Sequence, residues 1–138
     1  MRIVTKLFGL TIFLGLAGDF KLEQRPNSDP RYDVAVRFIN DYVDFLSEKN
    51  SDLEITEWVQ QQSTVTHRFK SGLQKFIEET EFLDFDPILD SQDYPEGFKI
   101  DKTASEFVIV KGTDWPEFKL VLKLDQQGEQ WFVDGSGV

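Results

Sequence analysis

The chain of 138 residues holds one histidine, His67, and no cysteine. Those two counts remove much of the chemistry open to a small domain. A zinc site needs three or four nitrogen, sulfur or carboxylate ligands, and a multi-histidine site cannot be built from one imidazole. A Ser-His-Asp arrangement would need His67 beside a serine and an acid, and no G-x-S-x-G turn that would present such a serine occurs. His67 also lies two residues from both Val65 and Phe69, off the apolar stripe they suggest, so it is expected to face solvent.

The densest polar cluster is Asp84, Asp86, Asp90, Gln92, Asp93 and Glu96. Carboxylates at this density suit a hard cation such as calcium. The spacing does not fit the EF-hand loop: counting from Asp84, the fifth position is Ile88 and the sixth is not glycine. The competing role is turn-capping around Pro87 and Pro95, in which aspartates accept nearby backbone N–H groups. No metal or cofactor is expected. A third role is a pocket whose mouth is lined by Asp93, Tyr94, Trp115, Trp131 and Asp134, where a buried carboxylate with a raised pKa could act as a base. The binding candidates are therefore Asp90, Gln92, Asp93, Tyr94, Trp115, Trp131 and Asp134, with no catalytic residue among them. In the structural alternative, Tyr94 packs at the helix–sheet junction while Gln92 and Asp93 satisfy backbone groups at the turn. Pro95 pushes Tyr94 to an extended conformation.

Those residues must be positioned by the elements around them. Asp29-Pro30 reads as an N-cap with proline at the first helical position. A helix follows to about Glu48, with Val34, Phe38, Tyr42 and Phe45 on one stripe. Ser51 to Glu54 has capping-box spacing and opens a second helix carrying Leu53, Ile55, Trp58 and Val59. A third helix is expected over about 64–82, with Val65, Phe69, Leu73, Phe76 and Ile77 inward and Gly72 marking close packing. After residue 82 the period changes. Strands are expected at 98–100, 106–111, 117–124 and 131–134, the clearest alternating Phe118, Leu120, Leu122 and Leu124 with Lys119, Val121 and Lys123. Turns fall at Gly112–Pro116 and Asp125–Gly128. Helices followed by hairpins predict an α+β domain, three N-terminal helices packed on one face of an antiparallel sheet of about four strands.

The first residues have another purpose. Arg2 and Lys6 precede an apolar run of eleven residues, Leu7 to Ala17, ending in Gly15-Leu16-Ala17. That pattern predicts a secretory signal peptide over 1–17, cleaved after Ala17. The run is too short to cross a bilayer, which takes about 20 apolar residues. Residues 18–29 then form a flexible tether and 30–138 a single domain, periplasmic or secreted, with no transmembrane anchor after cleavage. Without the leader, 13 basic residues face 25 acidic ones, a net charge of −12. Such a balance opposes binding to nucleic acid, which needs a basic footprint, and to anionic lipid.

The segment Asp86-Pro87-Ile88-Leu89-Asp90-Ser91-Gln92-Asp93-Tyr94-Pro95 and the C-terminal Trp131-Phe132-Val133-Asp134-Gly135-Ser136-Gly137 resemble the hallmarks of the YbjP/YqhG family of bacterial envelope proteins. Val65 to Phe69 and Trp115-Pro116 fit the same pattern, and the likeness covers most of residues 31–138. The resemblance implies a cystatin-like or nuclear-transport-factor-like fold, in which helices are cradled by a curved sheet. It carries over no catalytic residues. Some members of that family are lipoproteins, whereas this chain has no cysteine to lipidate. The function expected is non-enzymatic: an exported envelope protein acting as an interaction or accessory module, its partner another envelope protein. The alternatives are a ligand-binding or hydrolytic domain that uses the fold's cavity, and an immunity-type protein that neutralises a basic toxin.

Overall fold

The computed structural model describes residues 29–48 and 52–137. The expected signal peptide, tether residues 18–28 and the expected cap Ser51 lie outside the described residues.

Helix α1 spans Pro30–Ser47. Asp29 closes its N-terminus by accepting the Arg31 backbone N–H at 3.0 Å, and Pro30 stands where no donor is needed. The Arg31 guanidinium folds back onto the same carboxylate. That hydrogen bond holds Asp29 below the usual carboxylate range. Ala35, Phe38, Ile39, Tyr42 and Val43 form the buried stripe.

Helix α2 spans only Ile55–Gln60. Its described capping box is formed by Glu54 and Glu57: the Glu54 N–H donates to Glu57 Oε1 at 2.9 Å. Asp52 and Leu53 lie before the helix, outside any regular element, and the helix buries Trp58 and Val59.

Helix α3 spans His67–Glu79, shorter than the 64–82 expected. The difference at its start has a physical cause. The run Thr64-Val65-Thr66 is β-branched and favours extended backbone. It pairs with the sheet instead, the Thr66 N–H donating to Val133 O at 2.9 Å and the Val133 N–H to Thr64 O at 2.8 Å. Val65 is thus buried as a strand-like bridge rather than on the helix stripe. Thr66 then caps α3, its Oγ1 accepting the Phe69 N–H at 3.0 Å. Gly72 marks no close packing: a β-carbon there would meet nothing within 4 Å.

The sheet is an antiparallel meander of β1 (Phe98–Ala104), β2 (Phe107–Gly112), β3 (Lys119–Gln127) and β4 (Gln130–Ser136), in the spatial order of the chain. Strand β3 runs further than expected, so the last turn is at Gly128-Glu129, where Gly128 takes a φ of +67°. Bulges between Ile100 and Lys102, and opposite Lys123/Leu124, bend the two outer strands. All three helices lie on one face. There Phe98, Val108, Val110, Leu120, Leu122, Leu124 and Val133 meet α1 and an aromatic cluster of Phe38, Tyr42, Phe45, Trp58 and Phe69. Trp58 is the centre of that cluster, its ring 5.3 Å from Tyr42 and 5.4 Å from Phe45. The α+β architecture of helices followed by a four-stranded antiparallel sheet is therefore present as read.

Candidate functional site

Asp134 is the most constrained of the expected site residues. Its side chain is 1% exposed at the bulge of β4. Thr66 Oγ1 donates to Oδ1 at 2.6 Å, Arg68 Nε donates at 3.1 Å, and the other guanidinium nitrogen closes a bidentate pair. Lys123 Nζ stands 3.9 Å away. Burial pushes this carboxyl upward, but the hydrogen bonds from Arg68 and Thr66 and the nearby positive charges outweigh it, so the pKa lies below the usual value. A base poised for proton abstraction needs the opposite shift. Asp134 is a tie between the cap of α3, the edge of the sheet and β3.

The acidic loop is organised by Asp86, which was not among the binding candidates. Its Oδ1 accepts the Ile88 and Leu89 N–H groups at 2.9 and 2.8 Å. Its Oδ2 accepts the hydroxyl of Tyr42 at 2.6 Å. Tyr42 is fully buried, and burial together with the Asp86 charge keeps its phenol protonated far above the ordinary range. This is turn-capping with an anchor into the core, and among the described residues no group of three acidic or histidine side chains could hold a metal ion. The sequence signal for Asp86 was its place before Pro87, a common start for an Asx turn. Nothing local marked Tyr42 as its partner 44 residues away.

The remaining candidates do not converge. Asp90 is exposed with a φ of +55°. Gln92 Nε2 donates to Asp84 O at 2.8 Å, satisfying a backbone group as expected. Asp93 is exposed and caps nothing, which corrects its expected role at the turn; the Glu96 N–H goes to Asp114 instead, at 2.9 Å. Tyr94 packs partly buried against the core. Asp90 and Trp115 line one groove of about 380 Å³ with Phe118, Lys119, Val121 and Gly137. Trp131 lies towards the other end of β3, beneath the Arg31 guanidinium at 5.6 Å and beside Arg68 and Lys123. Neither groove gathers the pocket mouth expected from Asp93, Tyr94, Trp115, Trp131 and Asp134: Trp115 lines the first and Trp131 the second. His67 is exposed, as its spacing suggests, with Ser71 Oγ 3.4 Å from Nε2.

The outer face of the sheet holds what composition concealed. Register places Lys99, Lys111 and Lys119 directly opposite one another across β1, β2 and β3. The next row is Lys102, Ile109 and Val121, and the third is Ala104, Phe107, Lys123 and Gly135. Five of the chain's 15 basic residues thus share this one face of an acidic molecule. Asp101, the bulged residue of β1, lies 3.5 Å from Lys111 Nζ and 3.2 Å from Lys119 Nζ. The hydrogen bond from Lys119 lowers its pKa. Like charges directly opposite in a sheet destabilise it, and one carboxylate does not neutralise three ammonium groups. Phe107, Ile109 and Val121 lie between the lysines, and Phe107 is 40% exposed. The result is an apolar strip with a cationic rim, and no helix among the described residues covers it.

Comparison of the chain with protein-family models, with curated proteins and with solved structures finds no match.

Proposed function

We propose that this chain is an exported, non-catalytic module of the bacterial envelope that binds another protein through the outer face of its sheet. The observation that carries this reading is the lysine row Lys99–Lys111–Lys119, its three charges met by the single carboxylate of Asp101, beside Phe107, Ile109 and Val121. An apolar centre within a polar rim is the anatomy of a protein-binding patch. The cost of opposing like charges is relieved when an acidic partner covers them. The partner is therefore a protein that presents carboxylates around an apolar contact. Export rests on the leader pattern of residues 1–17, and periplasmic or secreted placement on its cleavage. The likeness to the YbjP/YqhG envelope proteins agrees with the same role. On that reading, the bulged sheet and the helices across it correspond to the cystatin-like arrangement.

A photo-crosslinking side chain at Val121 tests the docking role in the native host, with one at Asp44 on the opposite, helical side as control. A discrete crosslinked protein at Val121 and none at Asp44 is the expected result. Crosslinks at Asp44 alone would transfer the binding role to the acidic helical side and favour the immunity-type alternative. No crosslink at either position would end the docking reading.

A further inference from the structure

A second surface of the same chain matches the lysine face. On α3, Phe76 is 44% exposed, and Phe82, just beyond the helix, is 77% exposed. They are the two most exposed of the large apolar side chains among the described residues. Glu78, Glu79 and Glu81 lie between them in sequence, and all three are exposed. Gly72 stands one turn before Phe76 with open space where its side chain would be. A glycine inside a helix destabilises it relative to alanine, and no packing among the described residues explains this one. It leaves the helix surface at that position open to an approaching surface.

We propose that the acidic, aromatic end of α3 in one copy of this chain docks on the lysine-rimmed sheet face of another. Phe76 and Phe82 meet Phe107, Ile109 and Val121, while Glu78, Glu79 and Glu81 meet Lys99, Lys111 and Lys119. The inference rests on the docking role proposed for the sheet face and names its partner. Both surfaces belong to one chain, and each supplies what the other lacks in charge and in apolar cover. The net negative charge of the two copies does not prevent this pairing. At physiological ionic strength, charges beyond about 8 Å are largely screened, so the local match decides. Because the two surfaces differ, the contact is heterologous, and it propagates into open chains of copies unless the rotation closes.

Sedimentation velocity of the purified protein across a wide concentration range is the test. The expected result is a concentration-dependent series of oligomers that dissociates as salt is raised. Lys111→Glu with Lys119→Glu, and separately Glu78→Lys with Glu79→Lys, should each weaken association at least tenfold. Mixing the two reversed proteins should restore it, because each then offers the surface the other needs. Restoration excludes misfolding as the cause of either loss. A parent protein that stays monomeric at every concentration overturns the inference, as does a mixture that does not associate. The docking role survives that failure if Val121 still crosslinks to a different protein in the host.

Discussion

Asp134→Ala isolates the tie between α3 and the sheet. Thr66 is 6% exposed, and its hydroxyl donates to Asp134 while accepting the N–H of Phe69. Removing the carboxylate leaves that hydroxyl proton without an acceptor in a place water does not reach. A hydrogen bond to a charged group contributes about 1.5–3 kcal/mol, and disturbing the helix cap adds about 1 kcal/mol. The expected loss is therefore about 3 kcal/mol, or roughly 10 °C in Tm for a domain of this size. Arg68 is 71% exposed and regains water, so it adds little to that cost. Thr66→Val should cost about 1–2 kcal/mol, and the double variant should lose less than the sum because the two residues share one bond. Urea denaturation at neutral pH measures all three, with unchanged m-values showing that the comparison is sound. If Asp134→Ala stays within about 0.5 kcal/mol of the parent, the carboxylate is not the tie described.

The pH dependence of the same residue follows from its lowered pKa. Its contribution is complete above the unfolded value of about 3.9 and is lost as pH falls through the lower folded value. Asp134→Asn should therefore flatten the acid limb of stability below about pH 4, as followed by denaturation at stepped pH. Tyr42→Phe removes the 2.6 Å bond to Asp86 and should lower stability by about 1.5–3 kcal/mol. Asp93→Asn, by contrast, should change stability by less than about 0.5 kcal/mol. Two glycines should respond with opposite signs in thermal unfolding. Gly72→Ala should raise stability by about 1 kcal/mol. Gly112→Ala should lower it by about 1–3 kcal/mol, because a β-carbon there would fall 2.5 Å from Trp115 O and 2.6 Å from Pro95 Cγ. Millimolar calcium should leave Tm unchanged, and a rise of several degrees would make the acidic loop a cation site.

How much was legible in the sequence varied with the range of the interactions. The stripe of α1 and the alternation of β3 are local patterns, and both place their side chains as read. The start of α3 was misread because Val65 fits a helical stripe equally well. Its true partner, Val133, is 68 residues away, beyond any periodic signal. The turn around Asp86 could be anticipated from Asp-Pro, but its anchoring by Tyr42 could not. Net charge was the least informative quantity, since it averages a lysine face with an acidic remainder. Strand alternation did show Lys119, Val121 and Lys123 on one side of β3. What the sequence withheld was the register that sets Lys99 and Lys111 beside them.

Amine-reactive footprinting of the lysines tests the sheet face as a docking surface most directly. The protein would be labelled in the native host fraction that holds it and again after purification and dilution. Lys102 and Lys123 belong to the face and are less tied than Lys111 and Lys119, which already share Asp101. If the face is occupied, Lys99, Lys102, Lys111, Lys119 and Lys123 are protected together in the host fraction, and protection disappears on dilution or in high salt. Equal reactivity of those five lysines in both states would contradict the docking role at its foundation.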